Sequence, residues 1–139
     1  SFPTRRSSDL PYAPIILALT LPRPQLYQRI DSRAEEMVTQ GLLEEYEDLL
    51  KRGYSTGDKA MQGLGYYHAG MHIAGYWSRE EMIANLQRDT RRYAKRQLSW
   101  FRGMEAVSWV DNSNPPASIE RISQLVAGKI QQYSEVLNR

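Results

Sequence analysis

Apolar and polar positions divide the chain into one continuous apolar run and several stretches of helical period. Ala13 to Leu21 is apolar on both faces and is stopped by Pro22 and Pro24, which predicts a buried inner strand of a parallel sheet. No obvious partner strand accompanies it. From Gln25 to Arg52, apolar residues recur at helical spacing through Leu26, Ile30, Met37, Leu42, Leu43, Tyr46, Leu49 and Leu50. Gly41 interrupts that run and predicts a bend, or two helices parted near Thr39 to Gly41. Gly53 is the expected stop, and Ser55 to Asp58 a polar loop. Ala60 to Ala74 reads as a short helix that starts irregularly around Gly63 and Gly65 and closes at Gly75. Ser78 and Glu81 form a capping-box pattern that opens a long helix to about Phe101, ended by Gly103. Val107 to Val110 reads as a short strand, Asn112 to Pro116 as a turn, and Ser118 to about Val136 as a final helix. The expected architecture is mostly α with a few short strands.

Composition narrows the classes. The chain has 139 residues, 41% of them hydrophobic and 24% charged, with a net charge of +2, so any basicity that matters is local. With no cysteine there is no disulfide framework, thiol nucleophile or thiolate-held zinc. No apolar run approaches the roughly 20 residues that span a bilayer, so no membrane association is expected. Ser1 to Leu10 (SFPTRRSSDL) can be encoded by a string that resembles a common high-throughput sequencing adapter. That segment is expected to be an artefact of truncation, leaving Pro11 to Arg139 as natural sequence.

The strongest chemical feature is DTRRYAKRQLSWFR, Asp89 to Arg102. On a helix, Arg88, Arg91, Arg92, Lys95, Ser99 and Arg102 share one face. Such a stripe either tracks a phosphate backbone or is a solvated surface, and composition alone leaves both open. MQGLGYY, Met61 to Tyr67, places two glycines where a backbone could approach a ligand closely and two tyrosines that could stack on a base. A tight helix contact explains the same residues. Arg29 and Arg33 stand i, i+4 and could clamp a pyrophosphate, or could be surface charges balanced by Asp31, Glu35 and Glu36. His68 and His72 share that spacing but lack a third ligand, so surface histidines are expected and no metal site is assigned. Glu44, Glu45, Glu47 and Asp48 read as a solvated acidic face. The phosphate-loop pattern G-x-x-x-x-G-K-[ST] occurs nowhere in the chain.

Four segments, in this order and spacing, resemble the carboxy-terminal part of the tRNA dimethylallyltransferase (tRNA isopentenyltransferase) family. They are LYQRIDSRAEEMVTQGLLEE from Leu26, AMQGLGYYHA from Ala60, DTRRYAKRQLSWFRG from Asp89, and VSWVD from Val107. The resemblance covers about Tyr12 to Asp111. It implies the carboxy-terminal part of an α/β, P-loop-like enzyme built on a parallel sheet. It also implies transfer of a dimethylallyl group from dimethylallyl diphosphate to N6 of the adenosine 3′ of the anticodon, with the base flipped out of its stack and Mg2+ neutralising the diphosphate. The family's phosphate loop, general base and most of the Mg2+ site would lie upstream, so no catalytic residue is assigned here. Carried over by position, Arg33 with Arg29 would meet the diphosphate. Gln62, Gly63, Leu64, Gly65, Tyr66 and Tyr67 would meet the tRNA anticodon stem-loop. So would Arg91, Arg92, Lys95, Arg96, Gln97, Leu98, Ser99, Trp100, Phe101 and Arg102. A cytoplasmic, monomeric parent enzyme is implied, of which this chain alone is expected to be inactive. Tyr67–His68 departs from the family, where a charged pair is common, and no role is assigned to His68.

Two other readings use the same residues. One is a non-catalytic RNA-binding helical module. The other is a structural domain in which Trp77, Trp100 and Trp109 only pack. Reversing the charge of Arg91, Arg92 and Lys95 is expected to abolish RNA binding and leave folding intact. An isolated chain with an unpartnered strand is expected to be helix-rich and poorly soluble.

Overall fold

The computed structural model describes residues 14–104 and 107–137. Ala13 and the adapter-like Ser1 to Leu10 lie outside these residues. Strand β1 (Ile16–Thr20) is followed by helices α1 (Arg23–Thr39) and α2 (Leu42–Lys51), then by a 3-10 turn at Lys59–Gln62. Helices α3 (Tyr66–Ile73) and α4 (Arg79–Arg102), strand β2 (Val107–Asp111) and helix α5 (Pro115–Leu137) complete the order. The chain divides into a helical unit, Arg23–Gln97, and a unit made of β1, β2, α5 and the last turn of α4. None of the described helices is long and apolar enough to cross a membrane.

The helical unit is built on apolar pairs one turn apart. Ala34 and Val38 of α1, Leu42 and Tyr46 of α2, and Met82 and Leu86 of α4 are all buried. Each pair is spaced i, i+4, so each helix turns one stripe inward. Met61 and Ala69 close the same core. Burying one such aliphatic side chain contributes about 1.5–3 kcal/mol relative to leaving it in water. The helix boundaries follow local chemistry. Gly41 adopts φ 105°, a left-handed conformation that parts α1 from α2 as the sequence suggests. The capping box forms as expected: Glu81 N–H donates to Ser78 Oγ at 3.1 Å, and Ser78 N–H donates to Glu81 Oε2 at 2.8 Å. Helix α4 is tied to α1 by polar contacts. Gln87 donates to the Asp31 carbonyl at 3.3 Å and to Glu35 Oε1 at 3.1 Å, and Arg91 pairs with the Asp31 carboxylate.

In the other unit β1 pairs with β2 in parallel, Ile16 opposite Val107 and Thr20 opposite Asp111. Asn112 N–H extends the ladder to the Thr20 carbonyl at 2.8 Å. Helix α5 packs on β2, where Val110 is buried. Ser118 Oγ ties the start of α5 to that strand, donating within 2.7 Å of the Asp111 carbonyl.

Four local expectations are corrected. The apolar run does have a partner within the chain, and β1 is half-buried rather than sealed on both faces. A parallel pairing across a long connection leaves no mark in local periodicity. Helix α5 starts at Pro115, not Ser118, because proline's fixed φ and missing N–H suit the first turn of a helix. The segment from Ala60 is two elements, since Gly65 at φ 96° and ψ −68° breaks the backbone between the 3-10 turn and α3. His68, expected at the surface, is 1% exposed.

Candidate nucleic-acid interface

The helical unit carries an open recess of about 280 Å³. Gln62, Gly63 and Leu64, leading into α3, form one side with Tyr67, and α4 supplies Asp89, Arg92 and Arg96 on the other. His68 closes it from α3. The two segments singled out in the sequence, Met61 to Tyr67 and the basic stretch after Asp89, therefore meet at one place. The volume falls at the bottom of the range of small-molecule pockets, and the recess opens to solvent, which suits one group of a larger ligand.

Local geometry decides which residues of each segment reach the recess. Gly65 is buried, and a Cβ there would come within 3.1 Å of Met37 Cε. Its lack of a side chain serves the core. Gly63 is exposed, has an ordinary φ of −68° and lines the recess. Tyr66 packs beside Tyr46, and its hydroxyl donates to Glu45 Oε1 at 2.5 Å. That bond to a carboxylate pushes the phenol's pKa up from its ordinary value. Tyr67 instead faces the recess, 38% exposed, with T-shaped contacts to His68 and Trp77 holding its ring.

The basic stripe divides in the same way. Arg91 is turned to α1, where it pairs with Asp31 and lies over the Tyr27 ring at 6.0 Å. Arg88 lays its Nε and Nη2 on the Asp89 carboxylate at 3.0 and 3.2 Å. Arg92 reaches the same carboxylate through Nη1 at 3.3 Å. Lys95 and Arg96 are exposed and, among the described residues, have no carboxylate within ion-pair distance; Arg96 lies 5.8 Å over the Tyr93 ring. Gln97 is exposed and lies outside the recess lining. Leu98, Ser99, Trp100, Phe101 and Arg102 belong to the other unit. There Trp100 is half exposed and packs edge-on against Phe101 at 4.8 Å.

Asp89 is the electrostatic hub of the recess, and the sequence reading missed it as a site residue. The Arg88 guanidinium, more than any other group, holds its carboxyl below the ordinary value, and His68 helps. His68 Nε2 stands 3.3 Å from Asp89 Oδ2. Burial depresses the imidazole pKa below its ordinary value, and this outweighs the opposing pull of Asp89. The contact is therefore a hydrogen bond from a neutral ring to a carboxylate at pH 7, not a salt bridge. Among the described residues the sealed Nδ1 has no hydrogen-bond partner of normal geometry, and the Asn85 carbonyl exerts only the weakest pull on the ring. No pattern in the sequence links positions 68 and 89, which lie on different helices.

On α1, Arg33 makes, among the described residues, only an exposed i, i+3 contact with Glu36 at 3.4 Å, a weak tether in water. Arg29, one turn earlier, is exposed. The described residues hold no group of three or more His, Cys, Asp or Glu side chains placed for a metal. Asp89, the acid at the recess, is ringed by two guanidiniums and a ring N–H, which does not fit a divalent cation.

A mostly helical chain with a short parallel sheet fits part of an α/β protein. The model of the IPP transferase family matches residues 1–104, and the chain belongs to that family. It is 42% identical over 127 residues to tRNA dimethylallyltransferase 1 of Syntrophotalea carbinolica, covering 85% of this chain and 40% of the relative. It is 39% identical over 131 residues to the tRNA dimethylallyltransferase of Desulforudis audaxviator, covering 94% of this chain and 42% of the relative. The full-length tRNA isopentenylpyrophosphate transferase of Bacillus halodurans superposes with a TM-score of 0.86 at 36% identity, over 93% of this chain and 43% of that one. The corresponding transferase of Staphylococcus epidermidis gives 0.74 at 29% identity, over 84% and 38%. The chain thus spans about two-fifths of the length of the relatives it matches. Fold class and family agree with the resemblance read from the four sequence segments.

Proposed function

We propose that this chain supplies RNA-binding and diphosphate-binding surface to an enzyme that prenylates tRNA. The reaction transfers a dimethylallyl group from dimethylallyl diphosphate to N6 of the adenosine 3′ of the anticodon. The observation that carries the reading is the recess itself, which joins the Gln62 to Tyr67 segment to the cations of α4.

Single-stranded loop bases are bound by stacking and edge contacts, with cations on the backbone. Tyr67 offers a ring at the recess, Gln62 an amide for a base edge, and Arg92 and Arg96 guanidinium donors for phosphate. Lys95 adds charge on the exposed side of α4. In the other unit, Trp100 and Arg102 are also assigned to the tRNA. In the transfer the N6 nitrogen forms a bond to the allylic carbon as that carbon's bond to the diphosphate oxygen breaks; diphosphate leaves, and the N6 proton passes to a general base that no residue of this chain is assigned to supply. Arg33 and Arg29 are the residues assigned to the departing diphosphate. Mg2+ would neutralise that leaving group, but the described residues offer no ligand set for it, and no step is assigned to it here. The reading carries with it a cytoplasmic location and action as a monomer.

The chain alone is expected to bind RNA without transferring the prenyl group, since the phosphate-loop pattern is absent from its sequence. The test is a salt titration of the 139-residue chain with a labelled anticodon stem-loop RNA, beside an assay for N6 prenylation. Affinity that falls steeply with salt, without product, is the expected result. No binding at low salt would sink the reading, and product formation would overturn the assigned inactivity.

A further inference from the structure

The inference concerns His68 and rests on the RNA-binding reading above. A polar ring sealed from solvent is costly unless it is hydrogen-bonded, and an apolar side chain of similar size would fill the same space without that cost. His68 is nevertheless buried among Tyr67, Trp77 and Asp89. The edge-on Tyr67 ring at 5.4 Å and the tilted Trp77 ring at 5.9 Å fix its plane. Its hydrogen bond is to Asp89 Oδ2. The second oxygen of that carboxylate accepts from Arg88 Nε and from Arg92 Nη1. The chain of contacts therefore runs from a sealed ring, through a carboxylate, to a guanidinium on the recess wall.

We propose that His68 is a positioning residue: by orienting Asp89 it holds the Arg92 guanidinium at the recess for an RNA phosphate. The geometry favours Arg92 as the positioned group. Arg88 spends one flat edge of its fork on Asp89, through Nε and Nη2. Arg92 uses a single Nη1 contact and keeps its other donors, while 64% of its side chain is exposed. An exposed arginine samples many rotamers, and ordering it on binding weakens affinity. A tether formed before binding removes part of that loss. His68 itself, being sealed, touches no RNA.

The test uses the 139-residue chain and a labelled anticodon stem-loop RNA over a salt series. Stem-loop binding by the unaltered chain reads the RNA-binding function. Its absence removes the basis of both claims, whereas the variants read the role of His68 alone. His68→Leu removes the N–H donor, and His68→Gln keeps one near the position of Nε2. His68→Leu is expected to bind about threefold more weakly, with the slope of log affinity against log salt unchanged, because Arg92 keeps its charge and still meets the phosphate in the complex. His68→Gln is expected to restore most of the lost affinity. In an Arg92→Ala background, His68→Leu is expected to cause no further loss. Unchanged affinity in His68→Leu, a slope shallower by a whole contact, or a loss that persists without Arg92 would overturn the proposal. A second measurement does not depend on His68→Leu folding. The Arg92 Nε–H order parameter in the RNA-free chain is expected to be high and to drop in Asp89→Asn. A low value in the unaltered chain also overturns it.

Discussion

Two sides of the same two segments contrast sharply. Gly65, Tyr66 and Arg91 are engaged by neighbours within the helical unit, while Gly63, Tyr67 and Arg96 face the recess or the solvent beside it. Each pair has one residue type within five positions, yet one member is engaged within the fold and the other lines the recess. The difference lies in the neighbours. A core methyl stands against Gly65, a carboxylate meets Tyr66 and another meets Arg91. Residue type tells which interactions are available. The packing of four helices decides which of them are already used.

The largest test of that contrast is charge reversal on either side. Lys95→Glu with Arg96→Glu is expected to weaken stem-loop binding about 100-fold, with far-UV circular dichroism and Tm unchanged. Arg91→Glu is expected to do the opposite, lowering Tm by placing two carboxylates together on α1 and α4 while costing less affinity. The reversal of Arg91, Arg92 and Lys95 suggested by the sequence mixes the two sides, because Arg91 belongs to the fold. If Arg91→Glu abolishes binding at unchanged Tm, the division fails.

The glycines come next. Gly65→Ala forces an alanine to φ 96° and against Met37, and is expected to cost about 1–3 kcal/mol of stability in denaturant unfolding. Gly63→Ala is expected to stay within about 0.5 kcal/mol and to lower RNA affinity instead, its new methyl lying 3.3 Å from the Ala60 carbonyl beside the recess. Equal destabilisation by both would show that neither glycine is reserved for ligand.

The tyrosines should separate by a smaller margin. Tyr67→Ala is expected to lose about 1–2 kcal/mol of RNA binding energy if its ring stacks on a base. Tyr66→Phe removes only the hydroxyl bond to Glu45 and is expected to cost at most about 1 kcal/mol of stability, with affinity unchanged. Fluorescence anisotropy and thermal unfolding on the same two variants decide the matter.

The smallest expected effect is acid sensitivity. The folded chain holds the His68 pKa below its ordinary 6.5, so the unfolded chain takes up that proton first as pH falls. The contribution is full above about pH 6.5 and is lost progressively below it. Asp89, held below 3.8, keeps its own contribution until well into acid. Between those limits the Tm of the unaltered chain is expected to fall more steeply than that of His68→Leu. Parallel curves would show that the ring is not held neutral by burial.

Local sequence determined a good deal of this molecule. The i, i+4 apolar pairs, the capping box at Ser78, the break at Gly41 and the four family segments are properties of neighbouring residues, and each was readable without a fold. So was the singling out of Met61 to Tyr67 and the basic stretch after Asp89, parts of which line one recess. Tertiary structure alone decided the rest. The β1–β2 pairing, the Arg91–Asp31 contact between α4 and α1, and the His68–Asp89 contact between α3 and α4 join residues on separate elements. Helical period and propensity act over a few residues. Partner choice, burial and the pKa of a sealed imidazole depend on distances through space, which exist only once the helices have packed.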